Sequence, residues 1–167
     1  MVHESLFGLP ELSPVPVVMS LDAQRYERMW SVDGTHEFRR RFLTGVPAQW
    51  FVYLTRPEGR LCAVIDLGAA IVDTPREIAR IAERVSPGEG ALVEEYLAGD
   101  GEVGYAMPVR RVREFSGFTD TELDRMLDGF QPPEGHVLVD DHPGWRAVCD
   151  KLLSGAVLRE TTISPVY

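Results

Sequence analysis

The sequence predicts a single α+β domain, a small mixed β-barrel of about six strands with short helices at its periphery. Three observations lead to this fold class. The strand-like segments are short and bounded by turn signals, the segments with helical spacing are short, and neighbouring strands are joined by hairpins rather than by long crossovers. A doubly wound sheet would instead alternate its strands with long helical crossovers.

The length and composition agree with one folded domain. The chain has 167 residues, of which 44% are hydrophobic and 26% are charged. A chain of this length buries roughly 70% of its unfolded surface, and this composition is unlike that of disordered chains. We expect an extended arm over residues 1–16, which hold three prolines, a barrel over residues 17–139, and a C-terminal helix and tail packed on the same domain over residues 140–167.

The charge is acidic overall but unevenly distributed. The chain has 17 basic and 26 acidic residues, so its formal net charge is −9. Residues 21–62 hold 7 basic and 5 acidic residues, whereas residues 116–167 hold 4 basic and 9 acidic ones. All basic residues except Lys151 are arginines, whose planar guanidinium suits bidentate contacts. Nonspecific phosphate binding by the whole surface is therefore disfavoured, and any nucleic-acid contact should be local.

The first part of the chain is predicted to form a strand, a helix and a second strand. Val15–Leu21 is apolar and β-branched, and residues 22–30 place apolar side chains at helical spacing. After a turn at Asp33-Gly34, residues 35–42 alternate apolar and charged side chains, which is typical of a half-buried strand.

A β-hairpin is predicted next. Residues 50–55 are strongly β-prone, residues 56–59 contain the proline and glycine of a turn, and residues 60–72 are a second long apolar run. The two strands should pair antiparallel.

Two capping boxes locate helix starts. Thr74 with Glu77, and Thr119 with Glu122, have the spacing at which each glutamate can reach back to the N-cap amide. We expect these helices to end near Val85 and Gly129. The remaining predicted elements are a short helix over residues 91–97, a strand over 104–115, a short strand over 136–139, a helix over 143–153 and a short β-prone tail.

The cysteines and the apolar segments indicate the compartment. Cys62 and Cys149 lie among apolar residues without metal-ligand spacing, so we expect buried free thiols in a reducing environment. We find no signal peptide and no segment near the roughly 20 apolar residues of a membrane helix. The sequence therefore predicts a cytoplasmic protein without membrane contact.

The sequence contains a weak metal signal. Imidazole and carboxylate groups lie close together at His136, Asp140, Asp141 and His142. They surround a predicted helix start, where acidic residues are common without a metal. We therefore predict no metal and no other cofactor.

The arginine-rich strand over residues 35–42 is the most informative segment. Alternation places Glu37 and Arg39 on one face, opposite Phe38. A guanidinium beside a carboxylate can bind phosphate or a base edge, or simply form an ion pair. The residues alone leave both interpretations open.

Several short motifs occur in a recognisable order. They are Ser-Leu at residues 20–21 before a helix over 25–30, Gly-Thr-His-Glu-Phe-Arg-Arg at 34–40, Phe-Val-Tyr-Leu-Thr at 51–55, Gly-Arg-Leu at 59–61, Ile-Asp-Leu-Gly at 65–68, Gly-Tyr-Ala at 104–106 and Pro-Pro at 132–133. In order and spacing they resemble the ASCH family of the PUA-like superfamily, which are small β-barrels associated with RNA or modified-nucleotide recognition. The resemblance covers roughly residues 17–139.

The resemblance implies a cleft between the barrel and the first helix. Glu37 and Arg39 match polar residues that line it, Asp66 matches an acidic position near it, and Tyr105 an aromatic one. Members thought to hydrolyse the acetyl amide of N4-acetylcytidine carry a lysine where this chain has Gly34, and a threonine where it has Glu37. This departure favours binding over hydrolysis.

We therefore predict a protein that binds RNA or a nucleotide-like small molecule. The candidate ligand-binding residues are Glu37, Arg39, Asp66 and Tyr105 in the cleft, Arg25, Arg28 and Arg40 at its rim, and Tyr53, although alternating aromatics in a hairpin more often belong to the core. One alternative is a hydrolase, either a ribonuclease or a modified-nucleoside amidohydrolase, with Asp66 or Glu37 as base. A second is a protein-interaction module that uses the acidic C-terminal half. The sequence does not indicate an oligomeric state.

Overall fold

The computed structural model describes residues 12–31, 34–99 and 101–163. Its elements are, in chain order, β1 (Val15–Leu21), α1 (Ala23–Arg28), β2 (His36–Arg39), β3 (Ala48–Leu54), β4 (Arg60–Leu67), β5 (Ile71–Asp73), α2 (Pro75–Val85), α3 (Glu89–Leu97), β6 (Gly104–Thr119), α4 (Asp120–Leu127), β7 (Val137–Leu138), a 3₁₀ turn (Val139–Asp141), α5 (Pro143–Leu153) and β8 (Val157–Thr162).

The strands form one strongly curled sheet, a half-barrel, so the predicted fold class is confirmed. Within the described residues the sheet has eight strands: six follow the order β2-β6-β4-β3-β1-β7, and β5 and β8 also pair with β6. The β3–β4 hairpin is antiparallel as predicted, whereas β1 and β3 pair in parallel. The 16-residue β6 pairs, within the described residues, with four other strands, which are β2, β4, β5 and β8.

Alternation along the strands separates two hydrophobic clusters. In β3, Trp50 packs into the barrel interior, and Phe51 and Tyr53 pack on the opposite face with α4 and α5. A third cluster joins α2 and α3 to the outer face of the β2–β6 pair through Ile78, Leu97 and, in partial burial, Phe38. The helices α2 and α3 thereby come to lie beside β2.

Several element boundaries differ from the sequence prediction. The helix α1 ends at Arg28, and β2 ends at Arg39, so that Arg40 and Arg41 are exposed. The predicted strand over residues 60–72 is two strands separated by residues 68–70. Residues 1–11 of the predicted arm and Asp33 of the predicted turn lie outside the described residues.

The two capping boxes differ. At α4 the box is complete, because Thr119 and Glu122 bond each other's backbone amides. At α2 the prediction of a reciprocal box is wrong. Thr74 accepts from the Glu77 amide, but the Thr74 amide donates to Asp73 Oδ1 at 2.7 Å and the Glu77 carboxylate pairs with an arginine one turn later.

Other expectations concern thiols and membrane helices. Both cysteines are free and buried, as predicted. No helix in the described part of the chain is long and apolar enough to cross a membrane.

Candidate ligand-binding cleft

A cleft of about 310 Å³ opens between α1, β2 and the α2–α3 pair. One wall is polar and consists of Arg25 and Arg28 of α1 with residues 34–37. The opposite wall is mainly apolar, and it is lined by Ala82, Val85, Ser86, Glu89, Leu92, Val93 and Tyr96. The cleft thus combines cationic groups at one side with flat apolar surface at the other.

Glu37 is the central charged group of this region. It is 1% exposed, the lowest exposure of any charged residue in the described ranges. Its Oε1 accepts from Arg25 Nη2 and from the Phe38 amide at 3.0 Å, and its Oε2 lies 3.5 Å from Arg39 Nη2. A buried carboxylate needs such partners because desolvation of an unpaired charge is costly. Glu37 therefore attaches α1 to β2 and fixes the orientation of Arg25.

Arg39 shares the face of Glu37, as alternation predicts, but its guanidinium points into the barrel. Its Nη2 donates to the Ser20 carbonyl at 2.9 Å, and its guanidinium lies 5.4 Å from the centre of the Trp50 ring. Arg39 is not among the residues that line the cleft. Tyr105 lies directly across from Arg39 on β6 and is likewise absent from the cleft lining. Arg39 therefore contacts Glu37 from the barrel side, and Tyr105 packs against the barrel core.

The predicted rim arginines connect the cleft walls. Arg28 pairs with Glu89 of α3 at 3.2 Å, and its side chain is 48% exposed. Arg40 donates to the Tyr96 carbonyl at 2.7 Å and stacks on the Tyr96 ring at 4.7 Å. Arg25 and Arg28 thus remain at the mouth, and Arg40 lies behind Tyr96.

Asp66 is not brought together with Glu37. Its neighbours Ile65 and Leu67 pack into the barrel interior, so Asp66 points to the opposite face of β4. There it lies 3.8 Å from Arg113. Burial raises the pKa of the Asp66 carboxyl, and the nearby Arg113 opposes that shift.

Tyr53 also lies away from the cleft. It is 1% exposed in the cluster beneath α4 and α5, and its hydroxyl donates to Asp120 Oδ1 at 2.7 Å. Burial and this hydrogen bond raise the pKa of Tyr53 to about 12. Its position agrees with the core interpretation.

His36 lines the cleft although sequence reasoning did not select it. Its ring stacks with Phe38 at 6.1 Å, and its Nδ1 lies 2.9 Å from Thr35 Oγ1. Burial, and then the charge of Arg84, lower the pKa of His36, so its ring is neutral at neutral pH. Alternation places His36 on the same face as Phe38. The sequence does not show that this face meets α2 and α3, because that wall is formed by contacts between residues distant in sequence.

Gly34 explains how α1 approaches the cleft. A Cβ built at this position would lie 2.3 Å from the Arg28 carbonyl oxygen and 2.5 Å from Met29 Cα. The close approach leaves no room for any side chain. The lysine that the resemblance would lead one to expect at this position in a hydrolase could not be accommodated unless the end of α1 moved.

The residues of the weak metal signal make other contacts. The His136 ring packs on Phe42 at 5.6 Å, and Asp140 pairs with Arg146 at 2.9 Å. Among the described residues, no group of three or more histidine, cysteine or acidic side chains could hold a metal ion.

Comparison with known proteins gives the fold. No family model matches the sequence, and no curated protein matches it. The crystal structure of ASCH from Zymomonas mobilis matches with a TM-score of 0.68 and 23% identity, covering 83% of this chain and 94% of that chain. Two point mutants of that protein match with TM-scores of 0.69 and 0.68, each at 21% identity, and cover 82% and 83% of this chain and 95% and 96% of theirs. This chain therefore has the ASCH fold.

Proposed function

We propose that this protein binds RNA, or a nucleotide-like small molecule, in the cleft between α1, β2 and the α2–α3 pair. The observation that carries the proposal is the buried Glu37, which holds Arg25 at the mouth of a cleft whose far wall is apolar. A guanidinium in a fixed orientation suits phosphate, and an apolar wall with an aromatic residue suits a base.

The size of the cleft supports a small ligand or a single nucleotide of a chain. Its volume of about 310 Å³ is at the lower end of the roughly 300–1,000 Å³ of small-molecule sites. Leu92 is 59% exposed and Tyr96 36% exposed, so apolar surface is available for contact with a base. The net charge of −9 also favours local recognition over coating of a nucleic acid.

The ligand contact is assigned to Arg25 and Arg28, and Arg39 becomes a positioning residue. Arg25 and Arg28 are 41% and 48% exposed at the mouth, whereas Arg39 is 18% exposed and directed toward Trp50 and the Ser20 carbonyl. This changes the role that the family resemblance had implied for Arg39.

The same geometry favours binding over hydrolysis by the two candidate bases. Both oxygens of Glu37 already accept hydrogen bonds from arginines or the backbone, and Asp66 lies on another face of the sheet. The close contact at Gly34 leaves no position for the lysine of the hydrolytic members.

Fluorescence anisotropy with labelled single-stranded RNA tests the proposal. Arg28→Ala should weaken binding and lower the slope of log affinity against log salt by about 0.7, the value for one lost phosphate contact with a single strand. Arg125→Ala, which removes an exposed arginine of α4 outside the cleft lining, is the matched control. Binding that does not depend on salt and is equally affected by both substitutions would contradict the proposal.

A further inference from the structure

The cleft lies against the open edge of β2. This strand is at one end of the sheet order within the described residues and pairs only with β6. The Val109 amide donates to the Thr35 carbonyl at 2.8 Å, and Thr35 lies opposite Val109 in the same register that pairs His36 with Pro108.

The register determines which main-chain groups face the cleft. In an antiparallel pair, alternate residues bond the partner strand and the residues between them point their N–H and C=O groups away. Thr35 and Glu37 face β6, so His36 and Phe38 direct their main chain outward. Pro108, opposite His36, has no N–H to donate.

Among the described residues, these two outward residues differ in whether their main chain already has a partner. The Phe38 amide donates to Glu37 Oε1 at 3.0 Å, whereas His36 is hydrogen-bonded through its side chain and, within the described part of the chain, its outward N–H and C=O have no partner. A partner peptide adding a strand would need the outward amides of both residues. The carboxylate of Glu37 therefore disfavours an extended peptide as the occupant of this edge.

A nucleobase needs only a single residue of open strand edge. In an extended residue the N–H and C=O lie side by side and point the same way. The Watson–Crick edge of every base likewise presents a donor next to an acceptor, and unpaired bases are recognised on that edge. The cleft that His36 lines is also lined by the apolar wall with Tyr96 and, at its mouth, by Arg25 and Arg28.

On the basis of the function proposed above, we infer that the His36 N–H and C=O bind the Watson–Crick edge of an unpaired nucleobase. The sugar and phosphate of that nucleotide then lie toward Arg25 and Arg28. Because base pairing occupies the same edge, the site selects single-stranded over duplex RNA.

Edge-blocked nucleic acids test this inference. The probes are short single-stranded homo-oligoribonucleotides of the four bases, each compared with an oligomer that is methylated on the donor nitrogen next to a Watson–Crick acceptor, which blocks that donor–acceptor pair. The edge-blocked oligomers contain the nucleosides 3-methyluridine, 1-methylguanosine, N6,N6-dimethyladenosine and N4,N4-dimethylcytidine. The matched controls are 5-methylpyrimidine and 7-deazapurine oligomers, which keep that edge intact. For the base that binds best, blocking the edge should weaken binding by about tenfold or more, and the control should not.

Nuclear magnetic resonance gives a readout on the protein side. In ¹H–¹⁵N spectra the His36 amide signal should move on addition of the best-binding oligomer and should not move with its edge-blocked counterpart. If RNA binds but edge blocking has no effect, or if the His36 amide does not respond, the inference fails and the proposed function stands. If no oligomer binds and no mononucleotide moves any cleft amide, both fail.

Discussion

The ion pairs of Glu37 can be tested by neutralising its charge without changing its shape. Glu37→Gln keeps an oxygen that can accept from the Phe38 amide but removes the negative charge between Arg25 and Arg39. The substitution leaves the Arg39 guanidinium partly buried, and within the described residues its Nε has no hydrogen-bond partner even in the unaltered protein. The folded state should therefore lose stability.

The expected loss follows from the exposure of the partners. Removing one member of a buried ion pair costs roughly 3–5 kcal/mol. The carboxylate is 1% exposed and Arg39 18%, but Arg25 is 41% exposed, so solvent screens its share of the interaction. The retained amide oxygen also preserves one hydrogen bond. We expect a loss near the lower end, about 3 kcal/mol.

Urea unfolding followed by circular dichroism measures this loss. With a slope of roughly 2 kcal/mol per molar urea, the midpoint should fall by about 1.5 M. Glu77→Gln makes the same chemical change in an exposed pair with Arg80, where the side chains are 43% and 61% exposed, and should cost less than about 1 kcal/mol. If Glu37→Gln costs no more than Glu77→Gln, the burial argument for Glu37 is refuted.

Three further predictions concern stability and reactivity. Gly34→Ala should lower the melting temperature, through a loss of about 1–3 kcal/mol of stability, because its Cβ would clash with the end of α1. Gly101→Ala is the control, because a Cβ added there has nothing within 4 Å. Equal melting temperatures of the two variants would contradict the clash at Gly34. Burial raises the pKa of both cysteine thiols to about 12, so they should react with a thiol reagent near pH 8 only after unfolding, and rapid reaction of the native protein would refute their burial. Burial alone would raise the pKa of Glu114, but hydrogen bonds from Arg159 and a tyrosine outweigh it and leave the folded-state pKa below its usual 4.5. The Glu114–Arg159 pair therefore contributes fully to folded-state stability above about pH 4.5, and this contribution is lost as the pH falls through the folded-state pKa of Glu114. Arg159→Ala should make the urea midpoint fall less steeply with decreasing pH. An unchanged dependence of the midpoint on pH would show that the pair contributes nothing.

Rules that act within one element predicted part of the candidate site correctly. The two-residue period of a strand depends only on the backbone, so the alternation of residues 35–42 was enough to place Glu37 and Arg39 on one face. The Thr119–Glu122 capping box is equally local, and it starts α4 where predicted. Both features are determined by neighbours within a few residues.

Other parts of the site depend on which elements meet. β4 is buried on both faces from Leu61 to Ile65, so its sequence has no polar alternation that would show which way Asp66 points. The cleft wall formed by α3 rests on contacts such as Arg40 with Tyr96, which are 56 positions apart. The hydrophobic pattern identifies β4 and α3 as structured segments, but it does not show which other elements they pack against.

The short helix α1 connects the cleft to the C-terminal strand. A helix of six residues has little stability of its own, so its position is determined by what holds its two sides. On one side Arg25 is bound by Glu37. On the other, Arg159 of β8 donates to Glu27 at 3.0 Å and lies 4.1 Å above the ring of Trp30, just beyond the helix.

The carboxylate of Glu114 completes this second attachment. Tyr26 of α1 donates to Glu114 Oε2 at 2.6 Å, and Arg159 donates to both oxygens of the same carboxylate, at 3.1 and 3.0 Å. One group on β6 therefore holds the helix and the C-terminal strand together. Tyr26 and Arg25 are adjacent in a helix with few other constraints. The position of Arg25 at the mouth of the cleft therefore depends on β8, whose Arg159 contacts Glu27 across 132 positions of sequence.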